Sequence, residues 1–351
     1  MNLNDKEFFS QSVHKYIVYK DIDETLKKYR KRVLSELHLR NLTEDFFKDR
    51  VLIDVGTGFQ AIVASQMGAK FIYHLDQSKS QVLWMQEYCR LNGIHNIKSI
   101  QCDITKNIPI EDNSIDIVLF FGVWHHLITP SDFIRQLIPK LHVKESYVWL
   151  RVYRFGSWSR WLVENLRQIS KKTDLHVIEN LLNIRYPHLS SDQYKGDALD
   201  DLFAPVWGAF HPRQFYIECV ATFINYKDFE YNFNDNDENF RVDFNLNNEN
   251  IELFKKFNFP DKGECQTDFK FNKDYEIANE IQNIFNNWDE VIGSDNLEDK
   301  LITLYELVRK KPIFNFYTQV YIEDNSCADF TKRLELLLHI LNTFKKEQKC
   351  I

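Results

Sequence analysis

Glycine is scarce in this chain, with 10 among 351 residues, and its distribution is uneven. Gly56, Gly58, Gly68, Gly93 and Gly122 fall in one early stretch, while only Gly263 and Gly293 lie beyond residue 210. The need for glycine therefore sits in the first half. Paired cysteines are missing: Cys89, Cys102, Cys219, Cys265, Cys327 and Cys350 are scattered without a C-x-x-C, and read as reduced thiols of an intracellular protein. No long hydrophobic run is present. The most apolar stretch, Ile115–Trp124, already contains Asp116 and falls far short of the ~20 residues that cross a bilayer. The N-terminal MNLNDKEFFS lacks the basic-then-apolar pattern of a secretory signal. Positive charge is not in excess either. Lys and Arg number 44 against 51 Asp and Glu, and the formal charge of −7 argues against a general nucleic-acid or membrane binder. Together these absences predict a soluble, cytoplasmic protein.

What is present is ample core material, since 44% of the residues are apolar. The length predicts two or three domains, or one large domain with additions, needing neither disulfides nor a structural metal. Leu26, Tyr29, Val33, Leu34 and Leu37 recur at helical spacing and predict an amphipathic helix, with Lys27, Lys28, Arg30, Lys31 and Arg32 on its solvated face. From residue 51 the pattern changes. Short apolar runs at 51–55, 70–76, 97–103, 114–123 and 146–154 alternate with helical patterns at 61–67, 78–92 and 131–141. Such alternation predicts βαβ units and a parallel sheet covered on both faces, a doubly wound α/β core over 51–155.

Beyond the core, 156–215 is less regular and includes the Arg- and aromatic-rich SWSRWLVENLR. A strand pair is expected within 217–246, and eight asparagines between Asn232 and Asn250 favour turns. Three helical patterns follow from 272, the last opened by a cap-like Ser326 and Asp329. The predicted organisation is an N-terminal helical arm over 1–50, a core domain over 51–230 with a lid insertion at about 156–215, and an Asn-rich connection with a C-terminal helical region over 231–351.

The first strand ends in Asp54-Val55-Gly56-Thr57-Gly58-Phe59-Gln60-Ala61. A strand turning straight into a helix gathers backbone N–H groups at one point, and glycines there let a ligand approach the backbone. Taken alone, the motif also fits a dinucleotide fingerprint with Asp76 as its ribose acid. Three carboxylates separate the two readings. Asp54 repels a pyrophosphate but suits a cation such as an ammonium. Asp76, ending the second strand, is placed to accept hydrogen bonds from both ribose hydroxyls. Asp103, in Cys102-Asp103-Ile104 after the third strand, offers an acceptor to an adenine amino group. An ammonium, a ribose and an adenine amine describe S-adenosylmethionine, a ligand without phosphate. The bland alternative is that each is a turn or cap acid, common just after strands.

VLIDVGTGFQ, YHLDQS, IQCDI and IDIVLFFGVWHHL, in that order, resemble the class I S-adenosylmethionine-dependent methyltransferase superfamily, strongly over 51–155 and more loosely over 156–226. The resemblance implies a Rossmann-like, mostly parallel seven-stranded sheet with its last strand antiparallel. It implies cofactor contacts from Asp54, Gly56, Thr57, Gly58, Asp76, Gln77, Cys102, Asp103, Ile104 and Phe121, and S-adenosyl-L-homocysteine as a product. Gln60 departs from the family at the third glycine-like position of the loop.

The methyl acceptor is less legible. The end of strand four, where the family places substrate-facing residues, reads Phe121-Gly122-Val123-Trp124-His125-His126. His125, His126 and Tyr153 are candidate catalytic groups; Trp124, Arg154, Asp201 and His211 are candidate substrate contacts. In the alternative reading the histidines only pack. No metal is expected. The N-P-P-Y or D-P-P-Y sequence that stacks a flipped base is absent, which weighs against DNA. The leading expectation is methyl transfer to O or N of a small molecule. The alternatives are a protein or RNA methyltransferase docking through its helical tail, RNA being disfavoured by the charge, and a non-catalytic cofactor-binding scaffold. No membrane partner is expected, and the tail also offers a surface for a homodimer.

Overall fold

The computed structural model describes residues 22–153, 204, 208–210, 215, 229–232, 239–257 and 259–260. At its centre is a sheet of β1 (Val51–Val55), β2 (Phe71–Asp76), β3 (Ile97–Gln101), β4 (Ile117–Phe121), β5 (Ser146–Tyr153), β6 (Phe229–Asn232) and β7 (Asn239–Leu246). The order across the sheet is β3-β2-β1-β4-β5-β7-β6. Neighbours among the first five strands are parallel, while β7 runs antiparallel to both β5 and β6. The order reverses between β1 and β4, so a crevice opens at the carboxyl ends of those strands.

The strands form because both faces are covered, which rewards continuous apolar runs over alternating ones. All five residues of β4 are buried. One face packs Ile53, Val118, Phe120, Leu150 and Val242 against α4 (Pro130–Leu137) and α5 (Ile251–Lys256). The other packs Leu52, Ile72, Leu119 and Trp149 against α1 (Ile22–Leu39), α2 (Phe59–Gln66) and α3 (Lys79–Leu91). The helix expected to run to Leu141 stops at Leu137 and continues as a 3-10 turn over Ile138–Lys140. Pro139 explains this, because it has no N–H to donate back along the helix.

Two expected boundaries fall inside this unit. The sheet continues past residue 230, since β6 and β7 lie at 229–232 and 239–246. The described part of the expected N-terminal arm is no appendage: Leu26, Val33 and Leu37 of α1 are buried in the core shared with α2 and Trp149. The three helical patterns expected after 272, and the cap at Ser326 and Asp329, lie outside the described residues.

A buried ionic cluster fastens α1 to the sheet. Glu36 accepts from Arg241 Nε and Nη2 at 2.7 and 3.0 Å and from Arg40 Nη1 at 2.9 Å. Arg40 Nη2 reaches Asp243 Oδ1 at 2.7 Å, and its guanidinium lies 4.2 Å over the Trp149 ring. Arg151 Nη1 stands 3.9 Å from Glu36 Oε1. Because Arg151 and Arg241 are register partners on β5 and β7, Glu36 sits between two guanidinium groups. Burial alone would raise the Glu36 pKa, but the Arg241 hydrogen bond and the surrounding positive charges bring it down to about 2. For Asp243 burial wins, and its pKa is raised.

Removing one member of such a cluster leaves uncompensated buried charge, a loss of about 3–5 kcal/mol. Glu36→Ala is therefore expected to lower unfolding free energy by that amount in urea titrations. Because the folded-state pKa of Glu36 lies below its ordinary 4.5, its contribution is present above that pH and is lost as pH falls toward 2. Glu36→Gln should flatten this acid limb; an unchanged limb would assign it to other groups.

Candidate active site

The loop after β1 forms where a strand that must stay in the sheet meets a helix that must pack on it within three residues. Gly56 and Gly58 have φ of +113° and +81°, a region other residues avoid. A Cβ at Gly58 would also run into Met85 Cε and stand 3.0 Å from the His74 ring. Gln60 needs no such freedom, because it lies inside α2 and is buried. Asp54 closes the turn from below: its Oδ2 accepts the Ala61 N–H at 2.9 Å. The expected cation partner is thus also a brace between β1 and α2.

Asp76 ends β2 and accepts the Ser78 N–H at 2.6 Å, which fixes the entry to α3. Burial raises the pKa of Asp54 to about 7. It does the same for Asp76, with a smaller push from the charge of Asp54. Among the described residues no cationic side chain is paired with either. Asp103 differs. Its Oδ1 accepts from Thr105 N and Oγ1 at 3.2 and 2.7 Å, and its Oδ2 pairs with Lys106 at 3.0 Å. Burial alone would raise its pKa, yet these partners hold it below its ordinary value. It is the turn acid of the bland reading, although 24% side-chain exposure leaves it within reach of a ligand.

β3 ends at Gln101, so Cys102, Asp103 and Ile104 follow the strand rather than finish it. The Cys102 N–H donates to the Asp76 carbonyl at 3.0 Å, tying this segment to the end of β2. Burial, with the charges of Asp76 and Asp103, pushes the Cys102 thiol up to about 12 and keeps it neutral. Gln77 is half-buried, and its carbonyl accepts from Gln101 Nε2 at 3.1 Å. Ile104 and Phe121 are buried.

Of the acceptor-side residues, the structure gathers three. His125 stacks on Tyr153 with planes 11° apart, and His126 lies 4.3 Å from the His125 ring and 6.0 Å from that of Tyr153. The histidines follow the end of β4 and Tyr153 is the last residue of β5, the adjacent strand of the sheet. His125 and Tyr153 are buried, whereas His126 is half-exposed. Trp124 is not with them. Its ring is fully buried among Phe120, Phe210, Phe215 and Phe259, so the expected substrate contact is a core residue. A tryptophan just past a buried strand has an apolar face to satisfy first. Arg154, Asp201 and His211 lie outside the described residues. No group of His, Cys, Asp or Glu among the described residues is arranged to hold a metal ion, and no described helix is long and apolar enough to cross a membrane.

Three side chains around the loop escape motif reading. His74 Nε2 is 2.6 Å from the Gly56 carbonyl, and its Nδ1 is 2.8 Å from Ser99 Oγ. Gln81 Nε2 donates to the Thr57 carbonyl at 2.5 Å. The signal was a polar residue at an inward position of each of two strands, which register then places side by side as His74 and Ser99.

Residues 53–141 match the family model described as Methyltransferase domain. A ribosomal protein L11 methyltransferase from Caldanaerobacter subterraneus subsp. tengcongensis is 31% identical over 112 residues, which is 30% of this chain and 33% of that protein. The chain thus spans about a third of the length of the curated relative it matches. Among solved structures, a SAM-dependent methyltransferase from Aquifex aeolicus aligns at 14% identity and a TM-score of 0.36, over 65% of this chain and 100% of that one. An S-adenosylmethionine-dependent methyltransferase from Mesorhizobium loti aligns at 19% and 0.30, over 36% and 56%. The matched model lies across the glycine loop, the carboxylate row and strand four, so residues 53–141 are similar to a methyltransferase domain.

Proposed function

We propose that the chain transfers a methyl group from S-adenosylmethionine to an oxygen or nitrogen of a small-molecule acceptor. One observation carries the cofactor half: Asp54, Asp76 and Asp103 stand at or just past the ends of three adjacent parallel strands, beside a loop whose glycines leave its backbone open. The residues fit the group. Two buried carboxylates with no paired cation among the described residues suit an ammonium and a ribose diol, whereas a pyrophosphate would meet repulsion.

The bound cofactor supplies an electrophilic sulfonium methyl and leaves as the neutral thioether S-adenosylhomocysteine. The chain's part is to hold the acceptor in line with that methyl and keep water out, which supplies much of the rate. His126, the half-buried member of the cluster at the ends of β4 and β5, is the group we assign to take the acceptor's proton, with His125 and Tyr153 stacked on each other beside it. The acidic charge and the absence of a base-stacking motif support a small acceptor over nucleic acid. A protein acceptor is the second reading, favoured by the name of the L11 methyltransferase relative.

Calorimetry should show S-adenosylmethionine binding and no NADH binding; the reverse pattern would end this reading. Asp76→Ala removes acceptors for both ribose hydroxyls. At about 1.5–3 kcal/mol per hydrogen bond to a charged group, affinity should fall at least about hundredfold. Incubating cell extract with methyl-labelled cofactor separates the acceptor readings, since label in a metabolite supports the proposal and label in protein supports the second.

Cofactor affinity should also depend on pH. Burial lets Asp54 and Asp76 ionise only near pH 7, and a cationic ligand favours the ionised forms. Affinity is therefore full above about pH 7 and weakens below it, by up to about tenfold per pH unit for each linked proton. Titrations in two buffers of different ionisation enthalpy read the released proton directly. Equal affinity at pH 6 and pH 8 without proton release would contradict it.

A further inference from the structure

The cofactor loop is held by side chains that take its carbonyls, and this decides where its N–H groups point. The Gly56 carbonyl only accepts, so the His74 Nε2 beside it carries the hydrogen. Burial depresses the His74 pKa to about 4, so the ring is neutral and Nδ1 is an acceptor, satisfied by the Ser99 hydroxyl. Ser99 therefore fixes the tautomer that lets His74 hold the loop. One residue further on, Gln81 Nε2 holds the Thr57 carbonyl.

In a trans peptide the C=O and the following N–H point in opposite directions, and no cis bond occurs among the described residues. Drawing the Gly56 carbonyl to His74 turns the Thr57 N–H away from it. Drawing the Thr57 carbonyl to Gln81 does the same for the Gly58 N–H. Neither N–H donates to any described residue, whereas the Gly56 N–H is used by the Leu75 carbonyl and the Ala61 N–H by Asp54. Two successive unused N–H groups at a turn with positive φ form an anion-binding concavity.

We propose that His74, locked by Ser99, and Gln81 are positioning residues that aim the Thr57 and Gly58 N–H groups at the carboxylate of the cofactor's amino-acid end. The inference rests on the cofactor reading above. It also accounts for the close fit beneath Gly58, where the His74 ring and Met85 leave no room for a Cβ.

The test compares two ligands on the full chain by calorimetry: S-adenosylmethionine and its decarboxylated analogue, which keeps the sulfonium, ribose and adenine. His74→Ala and Gln81→Leu should each weaken S-adenosylmethionine about tenfold or more, the worth of a hydrogen bond to a charged group, and shift the analogue less than about twofold. Ser99→Ala, which leaves the ring but frees its tautomer, should show the same split at smaller size. Loss of affinity for both ligands in parallel would mean that these side chains only support the fold, and would overturn the inference. Should His74→Ala fail to fold, judged by circular dichroism, the split in Gln81→Leu and Ser99→Ala decides. If the unaltered chain binds neither ligand, the cofactor reading itself fails, an outcome distinct from parallel loss.

Discussion

The parallel register of β1, β2 and β3 is the constraint on which the site depends. Asp54 pairs with His74, and Asp76 with Gln101, so each strand end is offset from its neighbour by a fixed step. Parallel strands all finish on the same side, and that alone brings Asp54, Asp76 and the Cys102–Asp103 turn into one row. The same register puts His74 beneath the β1 loop. Side chains alternate faces along a strand, so His74 and Asp76 share one. Asp76 stands at the rim and His74 one step below it, where it reaches the Gly56 carbonyl.

This explains what could be read from the chain and what could not. Strands buried on both faces leave continuous apolar runs that end where the backbone must turn, so VLIDV before Gly56 and FIYHLD at β2 were legible nearly to the residue. The carboxylates were legible because they follow those runs directly. Trp124 misled for the same local reason: it lies beside the site in sequence, but its ring satisfies the core beneath. Asp103 was half legible, since a carboxylate after a strand reads equally as ligand and as turn acid, and its contacts with Thr105 and Lys106 are those of a turn. His74 and Gln81 carry no motif, because what they recognise is a carbonyl whose direction exists only once the loop is folded.

The ionic cluster was invisible for a different reason. Glu36 and Arg241 are 205 positions apart, and each alone reads as a solvated charge on a helix or a strand. Only the antiparallel insertion of β7 beside β5 stacks Arg241 next to Arg151 and creates a site that demands a carboxylate. That demand makes α1 part of the fold: Glu36 brings a carboxylate to the buried guanidinium groups of two strands. The late strand and the early helix are thus mutually dependent, and a boundary drawn at 230 would cut through the dependence.

The two sets of buried carboxylates face opposite circumstances, and the contrast separates framework from site. Glu36 is surrounded by cations, stays ionised far into acid, and stabilises the fold at neutral pH. Among the described residues Asp54 and Asp76 have only backbone N–H donors, and burial holds them protonated up to about 7. Their unfolded counterparts ionise near 3.8, so as pH rises from there toward 7 the unfolded chain gives up protons that the folded chain keeps, and stability falls. A fold under selection for stability alone would place a lysine or arginine beside them, as it does beside Glu36 and Asp243. Among the described residues the pair has no cationic partner, so the carboxylates beside the glycine loop cost the fold stability where Glu36 adds to it.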